Sequence, residues 1–433
     1  MRQVFRGQGY LLVSVVGHGA KVRTKMARTW IVNPFDPLPG DSEQPGRYAT
    51  LARMLRDAGH EVTWWTASFS HRFKRPVDQA AIRGACRQEG IDVRFIEVPA
   101  YPRNVCWRRI RSHRVYAAGF ERQARAAPPP AVIIASNPPL ESPAAAARLA
   151  RRHGARLIVD VQDIWIDNFR QLMPKTIQWA SSVLLRPWVR ANRRSYAAAD
   201  VVVGVAGKYA DEPRRYGRCE YRKEVIPLGI DLDSFDQAVR RGRCLLGAKP
   251  TGEIWAIYSG SFSHTYDVLT VARVAARVVR SRPDVRFIFS GRGELEAEVR
   301  RLAGAGERVS FLGFAPFDDW AATVSECDVG WNAAKPEALV LMPNKIFYYW
   351  AAGLAVLNSI PGECADWVSR TETGRSYPAG DVDAAANALI ELISDPDRLA
   401  RQRQSARQAA VERWDRRVLY QRYLQLVADV SRR

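Results

Sequence analysis

A chain of 433 residues is too long for one ordinary domain and long enough for two or three, each with its own core. Its 47% hydrophobic and 25% charged residues are those of a globular protein and exclude a disordered or low-complexity chain. Lys and Arg number 65 against 45 Asp and Glu, a net charge of +20 that predicts attraction to something anionic; residues 1–200 hold 32 basic and 15 acidic side chains, residues 201–433 hold 33 and 30.

Strong patterning begins only at Met26, so residues 1–25 are expected to be an upstream extension, disordered or from a misassigned start, whose removal leaves activity intact. From there short apolar runs alternate with helix-period segments, the signature of parallel sheets covered by helices on both faces. Trp30–Val32 reads as the first strand, followed by a polar Gly/Pro-rich loop to Gly46 and an amphipathic helix from Arg47 to Gly59. Strands are expected at Glu61–Thr66, Val93–Val98, Ala131–Ala135, Arg156–Asp160 and Ala199–Gly204, with an Ala-rich helix over 142–153. A second unit is expected to restart at Val225–Asp231 and to continue through Trp255–Ser259, Val285–Ser290, Val309–Leu312, Val329–Trp331 and Leu354–Leu357, with helices at Val268–Ser281 and Leu295–Ala303. The basic, aromatic-bearing segment Ala409–Val430 reads as a helix that packs back over the junction. The implied class is α/β, two tandem Rossmann-like units whose sheets face across a cleft, and ligands of such sheets bind outside the carboxyl ends of the strands.

Several loops at those ends carry chemistry. Gly46-Arg47 places a glycine and a cation at a helix start, a geometry suited to an anion, although an ordinary strand-to-helix loop reads the same way. Asp160, Asp163 and Asp167 crowd the end of a buried strand, which suggests substrate contacts, a charge network or a helix cap. Ser259-Gly260-Ser261 and Ser290-Gly291-Arg292-Gly293 follow successive strands, where main-chain donors and a guanidinium suit a diphosphate. Lys345 opens the helix after Met342-Pro343-Asn344; a lysine is poorly placed there for the helix dipole, which favours a bound anion over a solvated side chain as its reason. The six cysteines stand singly, with no C-x-x-C pair, which argues against a zinc site or disulfide framework and for a reducing, cytoplasmic setting.

With these blocks in order ("ARMLRDAGHEVTWWT" at 52–66, "SNPPLES" at 136–142, "VDVQDIW" at 159–165, "AAADVVVGVAGKY" at 197–209, "VIPLGIDLDSF" at 225–235 and "MPNKIFYYWAAGLAVLNS" at 342–359), the chain from Trp30 onward resembles the bacterial family 4 glycosyltransferases of GT-B fold, of the kind that build surface polysaccharide and lipopolysaccharide. The resemblance implies an acceptor-side unit over 26–212, a nucleotide-sugar-binding unit over 213–408 and a returning helix over 409–433. It implies transfer of a sugar from a nucleotide diphosphate sugar, of the UDP or GDP type, to a hydroxyl of a glycan or lipid-diphosphate-linked acceptor, with retention of configuration and with no metal or other cofactor.

Carried over position by position, it implies that Lys345 and Arg292 meet the diphosphate with Gly260 and Ser261, and that Phe314 and Phe317 lie beside the base. Met342, Pro343 and Asn344 match the loop that meets the sugar, Gln162 and Asp163 the acceptor-side motif, and Gly46 with Arg47 the loop facing the transferred phosphate. Lys345, Arg292 and Asp163 are the expected catalytic residues. Two departures stand out: Tyr348 occupies the position of a ribose-holding glutamate, with Val340 eight residues before it where a second glutamate is usual, and Gln162 replaces a histidine. Glu337, three residues from Val340, is the nearest substitute.

The alternatives are a nucleotide-sugar epimerase of the same fold and a basic nucleic-acid-binding protein, the latter disfavoured because no basic-aromatic module is evident. The densest basic runs, Arg103–Arg111 and Arg186–Arg194, interleave Arg with Trp on the acceptor side. A solvated basic face reads the same way, but the expected role is docking on the anionic inner face of the cytoplasmic membrane.

Overall fold

A computed structural model describes residues 27–41, 46–304 and 306–432. The expectation for residues 1–25 lies outside them, as does the 42–45 part of the loop after the first strand.

The first sheet has seven strands, all parallel: β1 (Arg28–Val32), β2 (Glu61–Ala67), β3 (Asp92–Ile96), β4 (Val132–Asn137), β5 (Arg156–Val161), β6 (Val201–Gly204) and β7 (Arg222–Val225), in the order β3-β2-β1-β4-β5-β6-β7. Val, Ile and Leu fill β4, β5 and β6 because helices cover both faces, which makes such strands near-continuous apolar runs. Sheet order reverses between β1 and β4, so the loops after these two strands splay apart and leave a crevice.

The second sheet repeats that winding with six parallel strands, β8 (Ile254–Ser259), β9 (Val285–Ser290), β10 (Val309–Gly313), β11 (Val329–Asn332), β12 (Ala355–Asn358) and β13 (Gly374–Ser376), in the order β10-β9-β8-β11-β12-β13. Its reversal lies between β8 and β11, which puts Ser259-Gly260-Ser261 at the switch point.

One expected strand changes sheets. Arg222–Val225 pairs with β6, not with the second sheet, and Ile226–Asp231 is a connection rather than a strand. The second sheet therefore starts at Ile254, and a division at residue 212 separates β7 from the sheet it completes. In the connection Pro227 has no N–H to give a ladder, while Ile230 bridges Asp415 of the returning C-terminal segment.

That segment is broken into pieces: a helix over Pro396–Ala409, one wide turn over Ala410–Trp414, a short helix over Arg416–Leu419 and a last helix over Gln421–Ser431. Trp414 stacks on Trp350 at 5.3 Å between ring centroids and meets Trp367 edge-on at 4.9 Å. Tyr420 and Tyr423, farther on, are buried against the first half.

Candidate active site

The carboxyl edges of the two sheets face a cleft of about 690 Å³, within the range of small-molecule sites. Asp41, Arg72 and Phe73 line it from the first half; Ser259, Gly260, Ser261, Arg292, Phe314, Phe317 and Trp320 are among its walls on the second. Gly260 (φ 148°) and Gly291 (φ 140°) have backbone conformations that side-chain-bearing residues rarely adopt, and this lets the loops after β8 and β9 lie against each other. Gly260 N–H donates to the Ser290 carbonyl, Phe262 N–H to that of Arg292, and Gly291 N–H to that of Gly313. Two donors expected near the diphosphate, Gly260 and Gly291, are thus spent on joining the loops.

Lys345 supplies what those amides do not. It sits in the first turn of α1 (Asn344–Ala351), and its Nζ lies 3.2 Å from where a Cβ on Gly260 would be. The ammonium is 4.3 Å from the ring centroid of Tyr258 and 4.2 Å from that of Tyr266, is shielded from water, and has no hydrogen-bond partner. Burial alone pulls its pKa down to about 7. A buried cation facing only aromatic rings and a glycine turn is poised for an anion.

Arg292 is exposed on the cleft wall, its guanidinium beside Gly313. Phe314 projects into solvent at the rim and Phe317 stacks on Trp320 at 5.8 Å. Trp320 donates its indole N–H to Ser259 Oγ at 2.9 Å. Tyr348 packs edge-on against Trp320 and Phe317 and tilts against Phe235, so its ring backs the aromatic wall. Met342 and Pro343 are buried and Asn344 is exposed at the helix start. The loop before them is held from across the cleft, since Gln171 donates to the Glu337 carbonyl and Tyr209 to that of Leu339. Glu337 itself is exposed and does not line the cleft.

The acceptor-side residues divide. Arg47 is turned away from solvent: it is 3% exposed and holds Asp160, 0% exposed, through Nε at 2.8 Å and Nη2 at 3.3 Å. Its Nη1 donates to the Pro227 carbonyl, and the rings of Tyr420 and Tyr423 lie 5.1 and 5.6 Å away. Tyr48 N–H, at the start of the Arg47–Asp57 helix that Gly46 caps, already donates to Asp36 at 2.8 Å. The Gly46-Arg47 turn is therefore a structural joint, its cation and one of its amides engaged by the protein's own carboxylates. Gln162 joins the same network by donating to the Tyr48 hydroxyl at 2.9 Å.

Of the three crowded acids, Asp160 is this hub and Asp167 pairs with Arg215. Asp163 accepts from Ile164 N–H and from Asn168, and burial raises its pKa. Its charge acts on Tyr266, which ties it to the Lys345 side of the cleft. Trp320, Tyr258, Tyr266, Asp41 and Arg72 were not singled out from sequence. Only Trp320, three residues after Phe317 on a helix, carried a local signal, because that spacing puts both rings on one face.

Residues 45–229 match the glycosyl transferase 4-like domain and residues 254–395 the glycosyl transferases group 1 domain. The chain belongs to the family 4 glycosyltransferases. Its curated relatives include the GDP-mannose-dependent monoacylated α-(1-6)-phosphatidylinositol monomannoside mannosyltransferase of Corynebacterium glutamicum, 24% identical over 48% of this chain and 57% of that protein. A GDP-mannose-dependent α-(1-6)-phosphatidylinositol monomannoside mannosyltransferase of Mycobacterium tuberculosis is 25% identical over 44% of this chain and 52% of its own. The match spans little more than half the length of these relatives. Among solved structures, sucrose-phosphate synthase from Thermosynechococcus elongatus superposes with a TM-score of 0.67 at 17% identity, covering 93% of this chain and 99% of that one. Anabaena HepE, solved with UDP, gives 0.64 at 18% identity, with 93% and 100% covered. This family 4 glycosyltransferase thus has the two-sheet GT-B architecture. The first family model runs to residue 229, past β7, in agreement with that strand's place in the first sheet.

Proposed function

We propose that the protein transfers a sugar from a nucleoside diphosphate sugar, of the UDP or GDP type, to a hydroxyl of a glycan or lipid-linked acceptor, with retention of configuration and without a metal. The observation that carries this reading is the unpartnered, buried ammonium of Lys345 against the Gly260 turn at the switch point of the second sheet. A diphosphate placed there gives Lys345 its missing partner and lies within the cleft that Arg292 lines. The nucleoside then extends along Phe314, Phe317 and Trp320, with Tyr348 behind them. Met342, Pro343 and Asn344 fix where the sugar ends, and Asp163 faces it from the first half. The names of the curated relatives support a GDP-linked donor and a lipid-linked acceptor, and the HepE complex supports a UDP-linked donor on this fold.

In the proposed step the bond from the anomeric carbon to the leaving phosphate oxygen breaks, and the acceptor oxygen bonds to that carbon on the same face. The acceptor's proton passes to the departing phosphate, whose developing charge is stabilised by Lys345, shielded from water, and by Arg292 on the cleft wall. Arg47 and Gln162 act through the buried joint rather than by touching substrate. Basic and apolar residues of the first half would hold the enzyme at the inner face of the cytoplasmic membrane. Release of nucleoside diphosphate from a panel of nucleotide sugars, with and without glycan or lipid acceptors, tests the reading. One donor that is turned over faster with acceptor, giving a product of unchanged anomeric configuration, is expected; no release from any donor overturns it.

A further inference from the structure

A second set of unneutralised cations lies on the first half's side of the cleft. Arg109, on the helix Trp107–Ala124, stands with its guanidinium 4.3 Å from the ring centroid of Trp165 and 5.7 Å from that of Phe35. It donates to the Asn104 carbonyl at 2.7 Å and approaches His113 Nε2 at 3.4 Å. Lys74, in the turn of the short hairpin between Phe69 and Pro76, donates to the His71 carbonyl at 2.5 Å and to Asn104 Oδ1 at 2.7 Å, with its Nζ 5.1 Å from the Tyr101 ring centroid.

Asn104 thus ties the two cations together, and among the described residues neither makes an ion pair with a carboxylate. Lys74 holds a left-handed backbone (φ 54°), a conformation costly for a side-chain-bearing residue and one that persists where the surroundings demand it. The electrostatics agree with crowded positive charge: burial and Arg109 push Lys74 down to about 8, burial lowers Arg109 against the opposing pull of Tyr101 and the Asp163 carboxylate, and burial and Arg109 hold His71 and His113 neutral down to about 3. The cluster borders the donor cleft through the turn that carries Lys74. Arg72 and Phe73, between His71 and Lys74, line that cleft, and Trp165 follows Asp163 by two residues.

We propose that Arg109 and Lys74, framed by Trp165, Phe35 and Tyr101, bind a phosphate group of the acceptor, so that the acceptor is a phosphorylated lipid or glycan. Its biological meaning rests on the transferase reading; the binding itself does not. Two cations held by the main-chain and side-chain carbonyls of one residue, Asn104, match a diphosphate or phosphodiester, and the rings offer apolar faces to the sugar or lipid beside it.

The test is calorimetric titration of the full chain with inorganic pyrophosphate after saturation with UDP or GDP, which fills the donor side. One remaining binding event is expected, weakened about tenfold or more in the Arg109→Gln/Lys74→Gln variant and kept in Lys345→Ala. Arg109→Lys, which retains the charge, is expected to bind within a few-fold of the wild type, which separates loss of the site from loss of folding. A parallel titration with glycerophosphoinositol distinguishes a phosphodiester headgroup from a diphosphate linker; whichever binds more tightly and is lost in the double variant names the source. Pyrophosphate binding that disappears on nucleotide saturation, or that is unchanged in the double variant, overturns the proposal. Absence of nucleoside diphosphate release from every donor would instead overturn the transferase reading and leave this titration standing.

Discussion

An ammonium held out of water with no oxygen partner costs a folded protein stability, and Lys345 is such a group. Its folded-state pKa of about 7 lies below the ordinary lysine value of 10.5. Between those two values the unfolded chain binds the extra proton, so stability rises with pH across that window and the full cost is present below about pH 7. Lys345→Met is therefore expected to raise the melting temperature of the ligand-free protein by a few degrees at pH 6, with the gain shrinking toward pH 10. A less stable Lys345→Met protein at pH 6 contradicts that account. A residue that weakens the free protein in this way belongs to a site whose ligand restores the balance.

At the scale of elements, the joint between the first sheet and the C-terminal helices rests on Arg47 and Asp160, which are 113 residues apart in the chain. Removing the cation leaves a fully buried carboxylate that keeps the hydroxyls of Tyr48 and Tyr423 as neutral donors. Arg47→Met is expected to cost about 3–5 kcal/mol by thermal or denaturant unfolding, and Arg47→Met/Asp160→Leu to recover part of it. Equal stability of the single variant and the wild type argues against the joint. Arg47 shows why the site was only partly legible in the sequence. A cation after a glycine at a helix start suits a phosphate, and nothing local points to its distant partner.

The central strands β4 to β6 were legible because strands buried on both faces are near-continuous apolar runs, and β3 was legible from its alternation of charged and apolar residues. The edge strand β7, Arg-Lys-Glu-Val, was not, and the apolar run after it looked more like a strand than the strand itself. The placement of Gly260 and Arg292 on the cleft and of Lys345 beside Gly260 was legible from turn chemistry, whereas Arg72 reaches the cleft, and Tyr266 reaches Lys345, only through tertiary approach.

Over the whole molecule, the +20 charge acquires a direction. The run expected around Trp188 is partly internal, since Trp188 donates to Glu141 and Arg114 lies 5.8 Å over its ring. The helices Trp107–Ala124 and Arg186–Ala198 both pack on the helix Glu141–His153, and the Arg114–Trp188 contact reaches between them. Beside the second of them, Ile177, Trp179, Val183 and Leu184 are exposed over one short stretch, Trp179 at 83%, and Trp107 stands out at the start of the first. Apolar side chains flanked by Arg on short helices fit the headgroup boundary of a bilayer, and no helix among the described residues is long and apolar enough to cross one. Sedimentation with vesicles is expected to depend on anionic lipid, to weaken as salt rises, and to fall in Trp179→Ser/Leu184→Ser. Binding indifferent to lipid charge and to these substitutions contradicts a docking face.

The central claim is that the cleft binds the diphosphate of a sugar donor through Lys345. Nucleoside diphosphate release by wild type and Lys345→Ala, compared at saturating acceptor with the donor that the panel selects, tests it most directly. A fall in kcat/KM of about two orders of magnitude or more, with folding retained, is the expected result; equal rates in the two proteins would contradict it.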